Sequence, residues 1–379
     1  MVESEEFGAI VLAVRKFAES ELAPRAVEWD RAKHFPLDVL ARAGDLGLGG
    51  IWIGEDVGGS GLGRAEGVRI FEELARGDTS IAAYVSIHNM VASMIDTAGT
   101  PAQRERWLPS LVSMRTLGSY CLTEPDAGSD AGALRTSARR VDGGYRVSGV
   151  KQFISGAGAA GVYVVMARTG ADGPAGVTAF VVEKGAPGLS FGADEVKMGW
   201  NAQPTRQVIL EDVFVPDDQR LGEEGDGFRI AMRGLNGGRL NIAACSLGGA
   251  QWAFETAVSH LRTRTAFGGP LIDQQALQFR LADMDTELHA ARALLHQAAD
   301  ALDADRTDAA KLCAMAKRYV TDAGFTVANE ALQLHGGYGY LSEFGLEKVV
   351  RDLRVHQILE GTNEVMRVVI ARALVAGIA

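Results

Sequence analysis

The spacing of apolar residues changes twice along this chain of 379 residues, from helical to alternating and back to helical. Near the N-terminus the apolar positions recur every three or four residues, at Phe7, Ile10, Val14 and Phe17. This spacing is typical of one face of an amphipathic helix, and Pro24 predicts that the helix ends before it. The first third of the chain is therefore predicted to be helical.

The pattern between about 118 and 227 is that of strands. Four segments there are short, rich in β-branched residues and bounded by Gly, Pro or Asp: GYRVSG, VYVVMART, VTAFVVEKG and RQVILEDVFVP. Their close spacing predicts a compact antiparallel β-domain.

Helical spacing returns after position 227 in two long apolar stripes, which predict an up-and-down bundle. The first stripe is Leu281, Met284, Leu288, Ala291 and Leu295. The second is Leu312, Met315, Tyr319, Ala323 and Val327, and a natural helix end follows it at Gly336–Gly337. The predicted fold class is α+β. It comprises an N-terminal helical domain at 1–117, a middle antiparallel β-domain at 118–227 and a C-terminal four-helix bundle at 228–379.

Charge and composition exclude several classes of function. Lys and Arg total 38 against 48 Asp and Glu, a net charge of −10, which argues against nucleic acid or an anionic membrane as the main partner. The three cysteines lie far apart and the seven histidines are scattered, so we predict no metal site and no disulfide. No run of about 18 apolar residues predicts a membrane span.

The N-terminal sequence MVESEEFGAI is acidic and has the pattern of neither a secretory signal nor a transit peptide. The expected location is therefore the cytoplasm of a bacterium. If the chain is a processed eukaryotic protein, the mitochondrial matrix is expected instead.

A glycine-rich loop at 54–63 invites comparison with dinucleotide-binding sites. Its glycines do not fall as GxGxxG after a strand, so we interpret it as a structural loop between helices.

Five polar, glycine-rich segments stand out because local structure does not require them: 120–132, 151–158, 262–279, 329–340 and 351–367. In the first, the hydroxyls of Thr123 and Ser129 and the amides around Gly128 could hold a polar ligand. In the last, Glu360 follows an apolar pair and precedes Gly361. Taken singly, a solvated loop and a helix-end carboxylate are the simpler interpretations of these two segments.

Together and in this order, the five segments resemble the acyl-CoA dehydrogenase family, whose members use FAD. The resemblance covers nearly the whole chain and has the same helical, β, helical order. The motifs FISGAG, GLSFG, RGLNGGR, QLHGGYGYL and RVHQILEG are most similar to the corresponding segments of the members that oxidise isobutyryl-CoA.

The resemblance implies three groups of FAD-binding residues. The first lies around the flavin, with Thr123 at the pyrimidine edge and Ser155 near N5. It consists of Tyr120, Leu122, Thr123, Gly128, Ser129, Phe153, Ile154 and Ser155. The second is supplied by a neighbouring subunit to the pyrophosphate and adenosine. It consists of Arg264, Phe267, Gln274, Gln275, Gln333, Leu334, His335, Gly336 and Gly337. The third consists of Thr362, Asn363 and Glu364.

Glu360 matches the family's catalytic base, which removes the α-proton of the acyl group as hydride leaves the β-carbon for flavin N5. The thioester carbonyl must be polarised for this step, by analogy through the Glu360 backbone N–H and a flavin ribityl hydroxyl. Enclosure by Ile358, Leu359 and the flavin would raise the pKa of Glu360 toward working pH. Some members carry the base at the position of Gly238, where glycine cannot serve.

The substrate contacts that the resemblance implies involve the acyl group and the CoA arm. They are Ser129, Asn236, Arg239, Leu359, Gly361 and Arg372. Four positions depart from common family patterns. Asp126 replaces a usual glycine, Phe153 and Ser155 stand where many relatives have Trp and Thr, and Leu359 replaces a Tyr of many straight-chain enzymes. We expect Leu359 to leave room for an α-methyl branch.

The implied activity is oxidation of isobutyryl-CoA to methacrylyl-CoA in valine degradation. Electrons would pass to electron-transferring flavoprotein, and the chain would form a homotetramer, a dimer of dimers. Three alternatives stay open at this point: a dehydrogenase for butyryl-CoA or 2-methylbutyryl-CoA, a flavin oxidase or monooxygenase that uses O₂, and a non-catalytic acyl-CoA-binding protein.

Overall fold

A computed structural model describes residues 5–378, so the outermost residues of the two predicted terminal domains lie outside the described part. The chain begins with helices, as the periodicity predicts. These are α1 (Glu5–Phe17), α2 (Ala26–Ala32), α3 (Leu37–Asp45), α4 (Arg64–Gly77), α5 (Thr79–Ala98) and α6 (Pro101–Val112). The α-helical bonding of α1 ends at Phe17, before Pro24 as predicted, but helical structure continues. A π-helical turn, Ala18–Leu22, is followed by a 3₁₀ turn, Ala23–Arg25, which contains Pro24 in its first turn and leads directly into α2.

The middle of the chain forms a sheet. Its strands are β1 (Gly118–Cys121), β2 (Ser137–Val141), β3 (Gly144–Ser155), β4 (Val162–Arg168), β5 (Val177–Glu183), β6 (Leu189–Phe191), β7 (Thr205–Pro216) and β8 (Arg220–Leu221). The strand order is β6-β7-β3-β2-β4-β5-β8, with β1 paired to β4.

The pairing is antiparallel at most places in this sheet, with two exceptions. Strand β1 runs parallel to β4, in the register Gly118↔Val162, and β2 meets β4 in parallel at one bridge, Ser137↔Arg168. Alternation along each strand could not reveal these exceptions, because it predicts which face is buried and not which strand lies alongside.

Strand β4 is buried on both faces because it lies between two hydrophobic clusters. Tyr163 and Val165 belong to the main core, whereas Val164 and Met166 pack with residues of α5 and α6, including Ile95. The sheet thus rests against the N-terminal helices, which brings the end of β1 to the middle of the molecule.

The C-terminal helices differ in detail from four long helices. Three are long, α7 (Gly227–Thr263), α8 (Gln275–Asp303) and α9 (Ala309–Leu334). Two are short, α10 (Leu346–His356) and α11 (Asn363–Val375). Small strands β9 (Thr265–Ala266) and β10 (Gly269–Pro270) form a hairpin between α7 and α8. In the predicted apolar stripe of α8, Met284, Leu288, Ala291 and Leu295 are buried, and Leu281 is partly buried against the core.

The glycine-rich loop lies between α3 and α4 and contains one 3₁₀ turn, Glu55–Val57. No strand precedes it, so the geometry of a dinucleotide-binding βαβ unit is absent from this described region. The first turn of α4 is capped instead by Asp303 of α8, whose carboxylate accepts from the N–H groups of Arg64 (2.7 Å) and Ala65 (2.9 Å).

Candidate active site

Glu360 lies in the tight turn that joins α10 to α11. Its φ is 56° and that of Gly361 is 87°, so two successive residues occupy the left-handed region. For a non-glycine residue this costs about 1–2 kcal/mol. The turn then enters α11 through Thr362, whose hydroxyl accepts from Val365 N at 3.3 Å.

The carboxylate of Glu360 lies directly against α7 at Gly238. A Cβ atom at position 238 would lie 2.6 Å from Glu360 Oε2 and 2.9 Å from Cδ. Carbon and oxygen atoms do not approach so closely without a bond. Only glycine at position 238 is therefore compatible with the observed position of the Glu360 carboxylate. The Oε2 atom is buried and has no hydrogen-bond partner among the described residues.

Burial raises the pKa of Glu360 to about 7, while the positive charges of Arg239 and Lys317 oppose the rise. Arg239 Nε donates to the carbonyl oxygen of Glu360 at 3.3 Å, and its Nη1 donates to Asn236 Oδ1 at 2.8 Å. Arg239 is only 7% exposed. Arg239 and Asn236 therefore hold the turn that carries Glu360, and their contact with the CoA arm stays a prediction.

Tyr120 brings the first polar segment to the same place. Its hydroxyl is buried without a partner in the described part of the chain, and the nearby Glu360 carboxylate adds to the effect of burial, which raises the pKa of the phenol. Two unpartnered buried oxygens thus lie in one region, which is the condition expected of a site completed by a ligand.

The first two polar segments run side by side. Gln152 N donates to Thr123 O at 2.8 Å, and Ser119 Oγ donates to Ser155 O at 2.7 Å. A buried ion pair joins the same two segments, with 2.8 Å between Lys151 Nζ and Glu124 Oε1.

The pair Lys151–Glu124 also satisfies the backbone of the first segment. Lys151 donates to Leu122 O at 3.1 Å, and Glu124 accepts from the N–H groups of Arg135 (2.6 Å) and Thr136 (2.8 Å). Sequence reasoning missed this pair. The only signal was a lysine and a glutamate inside two of the glycine-rich segments.

Apolar side chains surround Leu359, the residue before Glu360. It packs with Ala83 of α5, Trp200 and Ile242 of α7. Trp200 Nε1 donates to His356 Nε2 at 3.2 Å, and His356 Nδ1 lies 2.6 Å from Ser246 Oγ.

The imidazole of His356 stays neutral because full burial lowers its pKa to about 3. Sequence reasoning did not single out Trp200 or His356, since an isolated Trp or His has no characteristic spacing.

The residues predicted to serve a neighbouring subunit gather elsewhere. His335 stacks on His260 with 4.3 Å between ring centroids, and Arg264 lies 5.7 Å from the ring of Tyr338. This group is at the far end of α7 from Gly238, about 38 Å of helix away at about 1.5 Å per residue. The two groups of predicted FAD contacts therefore lie well apart along α7.

The local geometry of several predicted FAD contacts fits a bound cofactor. No atom lies within 4 Å of the place where a Cβ would stand at Gly128, Gly336 or Gly337, so a ligand can approach their backbones. Phe153 is 64% exposed at φ 60°, and Phe267 is 92% exposed at φ 55°. Exposed aromatic rings on constrained backbones offer surfaces on which planar groups stack.

Other predicted contacts face the protein interior. The side chains of Leu122, Ile154 and Leu334 are buried in the hydrophobic core, so only their backbones can reach a ligand. The Asn363 amide is likewise committed to α9, through Thr321 Oγ1 at 3.0 Å and Asp322 Oδ1 at 2.8 Å. Its side chain therefore anchors the turn, and its predicted contact with FAD stays a prediction.

The remaining predicted contacts lie on the surface. Ser129, Gln274, Gln275 and Glu364 are exposed or partly exposed, and Arg372 is exposed on α11, more than two turns from Glu360. Asp126 occupies the tip of an exposed turn closed by Glu124 N to Ala127 O at 3.1 Å, and its φ is not positive. The turn therefore does not require the glycine usual in relatives.

Three further findings concern the described residues as a whole. No group of three or more His, Cys, Asp or Glu side chains there could hold a metal ion. Cys121, Cys245 and Cys313 are free and buried. None of the helices between residues 5 and 378 combines the length and apolar character needed to cross a bilayer.

Comparison with known families agrees with this architecture. Models of the acyl-CoA dehydrogenase N-terminal, middle and C-terminal domains match residues 4–115, 119–213 and 225–375. The chain belongs to the acyl-CoA dehydrogenase family, and it is an FAD-dependent oxidoreductase that dehydrogenates acyl-CoA.

Among characterised relatives, the chain is 52% identical to mitochondrial isobutyryl-CoA dehydrogenase of Bos taurus over 98% of this chain and 89% of the relative. It is also 52% identical to the enzyme of that name from Dictyostelium discoideum, over 94% of this chain and 86% of the relative. The solved structure of butyryl-CoA dehydrogenase from Megasphaera elsdenii superposes with a TM-score of 0.96. The two chains are 38% identical, and the match covers 99% of each of them.

Proposed function

We propose that this protein oxidises isobutyryl-CoA to methacrylyl-CoA, with Glu360 as the base that removes the α-proton. The observation that carries the proposal is the Glu360 carboxylate, which is held against Gly238 with Oε2 buried and unpartnered. A carboxyl group whose pKa is about 7 is half ionised near neutral pH, and in its ionised form it is a stronger base than an ordinary carboxylate. Bound FAD supplies the acceptor for the hydride that leaves the β-carbon.

The turn also provides groups that can polarise the thioester. The backbone N–H groups of Glu360 and Gly361 donate no hydrogen bond to any described residue. An N–H beside the base can bind the thioester oxygen, where negative charge develops as the α-proton leaves. Leu359, Trp200 and Ile242 exclude water from the same region and so strengthen this electrostatic effect.

The residues that would hold FAD form two groups at opposite ends of α7. The first group is Tyr120, on which the Glu360 carboxylate acts, together with Thr123 and Phe153–Ser155 of the β-domain. Arg264 and its neighbours at the far end would serve the FAD of a second copy. The separation of about 38 Å along the helix supports this division.

The substrate assignment rests on Leu359 and on the two relatives named for isobutyryl-CoA. Leu359, the residue before the base, packs against an apolar cluster that contains Ala83, a small residue. Leucine and alanine together leave more space near the α-carbon than a tyrosine at position 359 would. We infer that this space receives the α-methyl group, which butyryl-CoA lacks.

The base is tested by anaerobic titration of Glu360→Gln with isobutyryl-CoA. We expect FAD to stay bound and the rate of flavin reduction to fall by about 10³-fold or more, because general bases contribute about 10²–10⁴-fold. The control is Glu28→Gln, an exposed carboxylate on α2, which should reduce at the wild-type rate. If the flavin of Glu360→Gln were reduced at the wild-type rate, Glu360 would not be the catalytic base.

The substrate is tested by comparing kcat/KM for isobutyryl-CoA, butyryl-CoA and 2-methylbutyryl-CoA. A preference for butyryl-CoA would contradict the isobutyryl assignment and leave the dehydrogenase assignment intact. We propose electron-transferring flavoprotein as the acceptor. Adding electron-transferring flavoprotein should raise substrate turnover well above the turnover with O₂ as the sole acceptor. Rapid reoxidation of the reduced flavin by O₂ alone would instead indicate an oxidase.

We also propose that the chain assembles as a homotetramer, a dimer of dimers. A groove of about 450 Å³ lies between α8, α9 and α11, lined by apolar side chains that include Leu294, Met315 and Ile370. Leu374 at its edge is 62% exposed. An apolar surface of this kind is typical of a contact between subunits.

For the location, we propose a reducing compartment, the bacterial cytoplasm or the mitochondrial matrix.

A further inference from the structure

Lys317 is a fully buried cation close to the proposed base, and the mechanism described above does not use it. It lies on α9, and its side chain has no exposed surface. Lysine is almost never fully buried unless its charge is paired or it makes strong hydrogen bonds. Its surroundings should therefore reveal why the chain keeps a charge at this position.

The ammonium group binds the turn that carries Glu360. Lys317 Nζ donates to Gly361 O at 2.8 Å and to Asn363 Oδ1 at 2.9 Å. Since Arg239 Nε donates to Glu360 O, two cations on different helices hold two successive carbonyl groups of one turn. These are the carbonyls of the two residues with positive φ.

Such a turn needs external support. A glutamate in the left-handed conformation is strained, and this conformation persists only where surrounding contacts enforce it. Arg239 approaches from α7 at 3.3 Å, whereas Lys317 approaches from α9 with the shorter bond. Lys317 also joins the turn to Asn363, the first residue of α11.

The charges around the carboxylate come from three elements: Tyr120 on β1, Arg239 on α7 and Lys317 on α9. Around Lys317 itself lie Asp322 on α9, Glu364 on α11, Arg239 and the neutral His356. Burial lowers the pKa of Lys317 to about 7, so below neutral pH it carries its charge and, together with Arg239, favours the ionised form of Glu360.

We propose that Lys317 is a positioning residue for the base: it holds the left-handed Glu360–Gly361 turn and favours the ionised form of the carboxylate. This inference rests on the proposed role of Glu360. Two effects follow and can be separated, because the hydrogen bond to Gly361 O needs only a donor, whereas the electrostatic effect needs a charge.

The test compares Lys317→Met, which removes donor and charge, with Lys317→Gln, which offers an amide donor without charge. We expect Lys317→Met to lower kcat/KM by about 10²-fold, since a displacement of about 1 Å at the reacting group costs that much. In both variants the acid limb of the kcat/KM–pH profile should move upward by about one pH unit, because an opposite charge near a carboxyl lowers its pKa by about 1–3 units. Lys317→Gln should recover part of the loss in kcat/KM.

The control is Lys311→Met on the same helix. Lys311 is 9% exposed and donates to a backbone carbonyl, Ile378 O, at 3.1 Å, far from the turn. This variant should keep the wild-type pH profile whatever its effect on thermal stability. An unchanged acid limb in folded, FAD-loaded Lys317→Gln and Lys317→Met would overturn the inference. If Glu360→Gln itself retains wild-type activity, the proposed base has failed and Lys317 is not the cause.

Discussion

The contact between Gly238 and Glu360 predicts a large effect from a single methyl group. In Gly238→Ala the new Cβ would lie 2.6 Å from Glu360 Oε2, whereas ordinary contacts begin at 3.4 Å. The carboxylate must therefore retreat by about 0.8 Å, the difference between these two distances. The backbone of the turn cannot simply rotate to allow this movement, because Arg239 and Lys317 hold the carbonyls of Glu360 and Gly361.

Misplacement of a reacting group by about 1 Å costs about 10²-fold in rate, so kcat/KM for isobutyryl-CoA should fall by about that factor. Stability should change little, because alanine is favoured over glycine inside a helix by about 1 kcal/mol, which offsets part of the steric strain. The assay is stopped-flow flavin reduction, with the flavin absorbance per chain and the Tm measured on the same samples.

The matched control is Gly234→Ala, one turn earlier on α7. There the new Cβ would meet the terminal methyl of Met94, a flexible side-chain end that can move aside. It makes the same change in helix propensity and does not touch Glu360, so we expect wild-type flavin reduction. If Gly238→Ala also reduces its flavin at the wild-type rate, the carboxylate does not work from the position that the structure gives it.

Three further predictions concern pH, stability and assembly. Because Glu360 must be ionised to accept a proton and its pKa is about 7, kcat/KM should rise with pH and be about tenfold higher at pH 8 than at pH 6; a flat profile would contradict the assignment. Lys151→Met should destabilise the protein by about 3–5 kcal/mol, measured by urea unfolding, because it leaves Glu124 buried without its partner. Leu374→Asp should shift the mass measured by light scattering from four chains to fewer; an unchanged tetramer would exclude the α11 groove as an interface.

The periodicity of apolar residues was enough to predict the order of helical, β and helical parts, because burial of one face imposes a period of about 3.6 or of 2 on the residues. The motifs were similarly informative. Glu360 could be proposed from RVHQILEG, since the segment matched a family pattern along with four others. Neither kind of signal depends on which distant residues meet.

The strand pairing and the side chains that hold the Glu360 turn could not be predicted in this way. Parallel contact of β1 with β4 joins positions more than 40 residues apart, and no spacing within either strand encodes it. The role of Lys317 beside Glu360 could not be predicted for a related reason. On the sequence it is one lysine in a helical stripe, and only the packing of α9 against the α10–α11 turn makes it a buried cation.

The sequence by itself determined the order of helical and β parts, because local periodicity is a property of neighbouring positions. Through their resemblance to a known family, its motifs also implied the class of protein, the cofactor and the candidate base. Tertiary structure alone decided what surrounds that base. It placed the carboxylate against Gly238, brought Arg239 and Lys317 to successive carbonyls, and separated the two groups of predicted FAD contacts along α7. The physical reason is that desolvation, charge and steric contact act through space, so they depend on neighbours that the chain brings together only when it folds.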